Sequence, residues 1–208
     1  MAHIPDGVLS APVLIGGAAL AVGGLALGLR RLEERDIPKT AMLAAVFFVA
    51  SLVSVPVGPS SIHLLLAGTM GMVLGPAAIP AVFVGLLLQA VLFGFGGLTS
   101  LGVDVVDIAF PGVMLALLAG PMVRRAEGWR LVAIGGVVAG LAVVGTAGMV
   151  SLALALSSAD YLPSLRVIAV TYLPLAAVEA VIGGFLVGFL ARVKPEVLGR
   201  QATREAAA

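Results

Sequence analysis

Long stretches without a charged residue dominate this chain of 208 residues. A helix needs about 20 apolar residues to cross the hydrocarbon core of a bilayer, which is about 30 Å thick. The uncharged stretches predict seven spans, near residues 9–29, 40–57, 62–75, 76–95, 106–123, 131–157 and 165–191. Gly75-Pro76 separates the third span from the fourth and predicts a tight reversal there. We therefore expect an all-α integral membrane protein with one domain over 1–208 and a short cytoplasmic tail over about 192–208.

The composition excludes several other classes of protein. Apolar residues make up 61% of the chain and charged residues 11%, whereas soluble domains have about 45–50% and about 25%. A net charge of +1 gives no basic face for nucleic acid, and the lack of cysteine excludes disulfide scaffolds and thiolate zinc sites. The sequence has neither H-E-x-x-H nor G-x-x-x-x-G-K-[ST], so we expect no enzyme: neither an intramembrane metalloprotease nor an ATPase.

Basic residues fall almost entirely on one side of the predicted spans. The connections on that side, together with the C-terminal tail, hold eleven of the twelve lysines and arginines, and Arg166 lies on the other side. The positive-inside rule makes the basic side cytoplasmic. With an odd number of spans, the N-terminus is predicted outside and the C-terminus inside. The expected location is the bacterial plasma (inner) membrane, with multiple passes.

The predicted outer side holds most of the groups that could bind a cation. It collects both histidines and four aspartates: His3, His63, Asp6, Asp104, Asp107 and Asp160. Imidazole is a ligand that nickel, cobalt and copper accept readily. The structural alternatives are a terminal histidine of no consequence at position 3 and a helix-start residue at position 63.

The first residues can supply several nitrogen ligands in one plane, a geometry that suits Ni²⁺ or Cu²⁺ and can accept Co²⁺. If Met1 is removed, the Ala2 amine and the amide and imidazole nitrogens of His3 give three donors, and a fourth must come from elsewhere. If Met1 is retained, Met-Ala-His supplies four nitrogens, and His63 becomes redundant or axial. Pro5 and the turn residues Asp6-Gly7 would fold this tip back onto the protein.

Other polar residues have a structural interpretation beside a functional one. Asp104 and Asp107 either begin the fifth helix or accept the N–H of a metal-bound imidazole. Ser61 is a candidate for similar support, although helix capping is the simpler account of Ser61, Thr99 and Ser100. Glu179 lies deep in the last span, where it either forms a hydrogen bond with a neighbouring helix or contacts a coupling subunit.

Glycines also recur four residues apart, as in Gly24/Gly28, Gly71/Gly75, Gly136/Gly140 and Gly184/Gly188. This spacing favours close packing of helices.

Three segments resemble the CbiM/NikM family, the substrate-binding subunits of cobalt and nickel energy-coupling factor (ECF) transporters. They are the tip His3-Ile4-Pro5-Asp6-Gly7, the run GPSSIHL at 58–64 followed by Gly75-Pro76, and the stretch from Gln89 to Gly102. The C-terminal segment 179–196 is also similar. The resemblance implies a subunit that captures one Ni²⁺ or Co²⁺ ion near the outer face, as a transported substrate and not as a catalytic cofactor.

The resemblance also implies ligands and partners. The ligands would be the Ala2 amine after Met1 removal, the amide and imidazole nitrogens of His3, and the imidazole of His63. The partners would be a CbiQ/NikQ-type coupling subunit, a CbiO/NikO-type ATPase and a small CbiN/NikN-type membrane subunit. CbiM-like features favour cobalt and cobalamin biosynthesis, whereas planar nitrogen ligands favour nickel. The alternative function is an autonomous secondary transporter or channel for a divalent cation, but the predicted spans carry few polar residues.

Overall fold

The computed structural model describes residues 4–57 and 60–199. These residues form a helical bundle with one small antiparallel hairpin, in which Ser54 lies opposite His63. The elements are α1 (Ala11–Arg30), α2 (Ile37–Leu52), β1 (Ser54–Val57), β2 (Ser60–His63), α3 (Ala67–Leu74), α4 (Ala78–Phe93), α5 (Leu101–Arg125), α6 (Gly128–Ser157) and α7 (Ser164–Val193). Apart from the hairpin, the prediction of an all-helical fold is confirmed.

Five helical stretches are long and apolar enough to cross a membrane, judged by length and composition. They are α1, the stretch Ala67–Phe93 that contains α3 and α4, and the helices α5, α6 and α7. The chain is therefore a multi-pass membrane protein. The predicted second span is shorter than expected, because α2 ends at Leu52 and β1 follows. The segment 53–57 contains three valines and a proline, which favour extended backbone.

The break predicted at Gly75-Pro76 is confirmed. Gly75 has φ 56° and ψ −134°, a backbone conformation far from that of a helix and one that glycine tolerates. A single 3₁₀ turn, Gly75–Ala77, then leads into α4. As a result α3 ends after eight residues.

Glycines bring α6 and α7 into backbone contact. A Cβ atom placed on Gly136 would lie 2.7 Å from the carbonyl oxygen of Ala180, and one placed on Gly184 would lie 2.8 Å from that of Val132. This packing agrees with the expectation from the glycine spacing. The pair Gly71/Gly75 is different, because Gly75 forms the turn described above.

The outward faces of the helices carry large apolar side chains. Ile15 is 70% exposed, and Leu118 and Val170 are each 71% exposed. A soluble monomer rarely exposes extended apolar faces of this kind, whereas acyl chains cover them without penalty.

We predict that Gly136→Ala destabilises the α6–α7 pair. The added methyl group has only a backbone carbonyl to displace, and overpacking of this kind typically costs about 1–3 kcal/mol. Thermal unfolding in detergent should therefore show a lower midpoint. The matched control is Gly148→Ala in the same helix, because a Cβ at Gly148 meets no atom within 4 Å. A control that loses as much stability as Gly136→Ala would contradict the packing argument.

Candidate metal-binding site

The N-terminal segment lies against the start of α5 and the end of α6. Ile4 and Leu9 are buried there in a small apolar cluster that includes Val103 and Leu154. The backbone N–H of Ser10 donates to the hydroxyl of Ser157 at 3.1 Å. The predicted fold-back of the tip is therefore present in the described part of that segment.

Asp6 joins this segment to the residues that precede α5. Its carboxylate accepts the backbone N–H groups of Leu98 at 3.2 Å, Thr99 at 2.9 Å and Ser100 at 3.4 Å, and also the hydroxyl of Thr99. The Thr99 side-chain hydrogen bond is the main reason that the pKa of Asp6 is lowered, and the backbone N–H groups act in the same direction against partial desolvation. Asp6 is thus a charged anchor at the surface.

Gly97 leaves room for that anchor. A Cβ atom at this position would overlap the carboxylate of Asp6 and lie 2.7 Å from the Asp6 backbone nitrogen. The hydroxyl of Ser100 donates to the carbonyl oxygen of Ile4. Ser100 is the N-cap residue of α5 but forms no side-chain cap. The prediction that capping explains Thr99 and Ser100 is therefore wrong, because both hydroxyls bind the N-terminal segment.

Asp104 and Asp107 belong to α5, which begins five residues earlier than the predicted fifth span. Each is 2% exposed. Oδ1 of Asp104 accepts the backbone N–H of Ile4 at 3.0 Å. Oδ2 of Asp107 has no hydrogen-bond partner among the residues that the structure describes. A buried carboxylate oxygen of this kind calls for a donor or a cation.

His63 ends β2 and is 6% exposed. Burial disfavours the charged form of an imidazole, and the neutral form is the one that binds metals. Nδ1 lies 3.1 Å from the carbonyl oxygen of Leu64. If Nδ1 carries the proton and donates to this carbonyl, Nε2 carries the lone pair. Metal-binding histidines commonly have this arrangement.

Glu179 is fully buried in α7 and reaches the chain just after His63. Its Oε1 accepts the backbone N–H of Leu66 at 2.8 Å and also that of Leu65. The hydrogen bond expected with a neighbouring helix is thus made with the segment between β2 and α3. We missed this pairing because Leu65 and Leu66 carry no polar side chain that could reveal it.

Part of the predicted ligand set lies outside the described residues. This part comprises Met1, Ala2 and His3. For Ser61 the structure describes only the backbone, which lies in β2 opposite Pro56. Within 4–57 and 60–199, no three His, Cys, Asp or Glu side chains are placed to hold a metal ion. The roles of Asp6 and Gly97 in holding the N-terminal segment were not predicted from the sequence. Their only signal was an acidic turn at the tip and a glycine-rich loop ending in Thr-Ser.

Comparisons with known proteins show the family and the fold of this chain. The family described as "CbiM: Cobalt uptake substrate-specific transmembrane region" matches residues 3–197. A protein of Haemophilus influenzae that is described as a metal transport protein is 39% identical over 200 residues, which cover 95% of this chain and 97% of that protein. The fused nickel transport protein NikMN of Rhodobacter capsulatus is 32% identical over 94% of this chain and 63% of its own length. The crystal structure of a transition metal transporter superposes with a TM-score of 0.73 at 26% identity, covering 92% of this chain and 93% of that one.

We predict that Asp6→Ala releases the N-terminal segment from the start of α5. The loss of the carboxylate leaves three backbone N–H groups and the Thr99 hydroxyl without their acceptor. Hydrogen exchange of residues 4–10 should become several-fold faster. Asp160→Ala is the control, since Asp160 is exposed and its described hydrogen bonds are with nearby Ser158. Equal exchange in the two variants would show that Asp6 is not the anchor.

Proposed function

Because the chain belongs to the CbiM family of cobalt uptake transmembrane proteins, we propose that it is the metal-capture subunit of an ECF uptake transporter. It takes up Ni²⁺ or Co²⁺ from outside the cell. The observation that carries this proposal is the docking of Ile4, whose N–H and carbonyl are both held, by Asp104 and Ser100. This docking supports the proposal because the proposed ligand His3 directly precedes Ile4 in the chain.

The proposed ligands are the terminal amine of Ala2 after Met1 removal, the amide and imidazole nitrogens of His3, and the imidazole of His63. The burial of His63 supports this role, because burial disfavours the charged imidazole, which cannot bind a metal. Asp107, with its buried oxygen, is the first candidate to orient a bound imidazole, together with Asp104 and Ser61. Strong nitrogen donors in a plane select for nickel, while the family description favours cobalt.

The proposed topology has seven crossings, with the N-terminus outside and the C-terminus in the cytoplasm. The clustering of eleven of the twelve basic residues on one side supports it. The packing of α1 along α5 agrees with it as well: Gly17 meets Val103 and Gly24 meets Phe110, so the two helices run in the same direction. Both would begin at the outer side, where the N-terminal segment is docked.

The energy source lies in partner subunits under this proposal. The chain has no phosphate-binding loop of the G-x-x-x-x-G-K-[ST] type, so a CbiO/NikO-type ATPase would act through a CbiQ/NikQ-type coupling subunit. A small CbiN/NikN-type subunit is a further partner, and the NikMN relative, which is described as fused, supports this. Reorientation of the bundle in the membrane would then carry the ion inward.

We predict that the purified protein binds one Ni²⁺ or Co²⁺ ion and that His63→Ala abolishes the binding. Intact-mass spectrometry with and without added metal measures both the bound ion and the state of Met1. The expected result is a chain that has lost one methionine and carries one metal ion, because the Ala2 amine then completes the ligand set.

The control for this experiment is Asp160→Ala, which removes an exposed carboxylate and should leave the bound metal unchanged. Retained Met1 with binding that survives His63→Ala would mean that Met-Ala-His holds the ion alone. If the protein binds no metal, whether Met1 is removed or retained, the proposal is overturned. Membership of the family would then describe only the fold.

We further predict that uptake requires ATP hydrolysis by a partner. Proteoliposomes that contain this chain alone should not accumulate ⁶³Ni²⁺ or ⁵⁷Co²⁺ in a proton gradient, because the predicted spans carry few polar residues that could line a path for the ion. Addition of the coupling subunit, the ATPase and the small subunit should restore ATP-dependent accumulation. Gradient-driven accumulation by the chain alone would favour the alternative, an autonomous secondary transporter or channel.

A further inference from the structure

The segment that follows His63 has an unusual backbone conformation. Leu66 has φ 50° and is the one non-glycine residue with positive φ in the described part of the chain. A leucine in this left-handed region is disfavoured sterically. Since Leu66 is also buried, surrounding contacts must hold the chain in this shape.

Leu66 is also the N-cap residue of α3, and it supplies no side-chain cap. The helix begins inside the bundle, where no bulk water can accept unpaired backbone N–H groups. Glu179 supplies the acceptor from α7, because its Oε1 takes the N–H groups of Leu65 and Leu66. A carboxylate at this place also faces the positive end of the α3 dipole.

These contacts reach His63 through two residues. Leu65 follows Leu64, whose carbonyl oxygen lies 3.1 Å from Nδ1 of His63. A shift of the backbone at 65–66 would therefore move the carbonyl group that orients the imidazole ring. The described hydrogen bonds thus connect the Glu179 carboxylate to the His63 ring by way of the backbone of residues 64–66.

We propose that Glu179 is a positioning residue that fixes the orientation of the His63 imidazole by holding the backbone of Leu65 and Leu66. This inference rests on the proposed function, in which His63 is a metal ligand. It assigns the buried carboxylate to the metal site and not to contact with a coupling subunit. α7 thereby becomes part of the scaffold of that site.

The test compares Glu179→Ala with Glu179→Gln in the purified full chain, titrated with Co²⁺. Loss of the acceptor in Glu179→Ala should weaken Co²⁺ binding by about 10- to 100-fold, the range found for residues that orient metal ligands. It should also change the visible spectrum of bound Co²⁺. Glu179→Gln keeps an oxygen acceptor of the same reach and should stay much closer to the original protein in both measurements.

Gly135→Ala is the matched control for lost stability, because a Cβ at this position would lie 2.7 Å from the side chain of Val187, which follows Glu179 by eight residues along α7. It should lower the unfolding midpoint and leave the Co²⁺ affinity and spectrum unchanged. The same loss of affinity in Gly135→Ala would overturn the inference, as would unchanged Co²⁺ affinity and spectrum in Glu179→Ala. If Glu179→Ala does not fold, Glu179→Asp replaces it. Aspartate keeps the charge but has a shorter side chain than glutamate. Weaker Co²⁺ binding in Glu179→Asp than in Glu179→Gln would therefore support positioning, and stronger Co²⁺ binding in Glu179→Asp would overturn it.

Hydrogen exchange separates this inference from the proposed function. Glu179→Ala, or Glu179→Asp in its place, should accelerate exchange at Ser60–His63 in the metal-free protein, while exchange along α5 stays constant. If the original protein binds no Co²⁺, the proposed function fails and this measurement still decides whether Glu179 holds the hairpin. Unchanged exchange at Ser60–His63 would overturn the positioning role by itself.

Discussion

Two irregular segments of this chain are held by carboxylates from distant parts of the sequence. Each carboxylate accepts hydrogen bonds from the backbone N–H groups just before a helix. Asp6 does so before α5, and Glu179 does so before α3. Neither helix has a side-chain cap from its own N-cap residue. Away from water an unpaired N–H costs several kcal/mol, so the buried acceptor from Glu179 is a condition for the irregular segment before α3 to exist. The hydrogen bonds of Asp6 lie at the surface and hold the N-terminal segment in place.

This constraint ties the candidate site to the bundle. The N-terminal segment is held by α5 and the residues before it, through Asp6, Ser100 and Asp104. The hairpin that carries His63 is held by α7, through Glu179. The two histidine-bearing segments therefore rest on different helices, and a site between them would depend on how those helices pack. Helix α6 links these two helices by glycine contacts, since Gly145 faces Pro111 of α5 and Gly136 faces the carbonyl oxygen of Ala180 in α7.

The sequence was sufficient for the class of fold, because membrane spans need long apolar stretches and Gly75-Pro76 cannot continue a helix. It was insufficient for the hairpin, since a run such as SVPV is apolar enough to extend a predicted span. Candidate ligands could be named because the chain has two histidines. The acceptors Asp6 and Glu179 could not be assigned, because their partners are backbone groups about a hundred residues away and leave no trace in the side-chain pattern.

The contact between α6 and α7 bears on how the protein can move. Side chains at an interface can change rotamer and let two helices slide, but a glycine facing a carbonyl group has no rotamer to change. Gly136 and Gly184 therefore make α6 and α7 move together as one rigid unit. A change of shape within the bundle must then use hinges elsewhere, and the 3₁₀ turn at Gly75–Ala77 is a place where the regular helical hydrogen bonds are already interrupted.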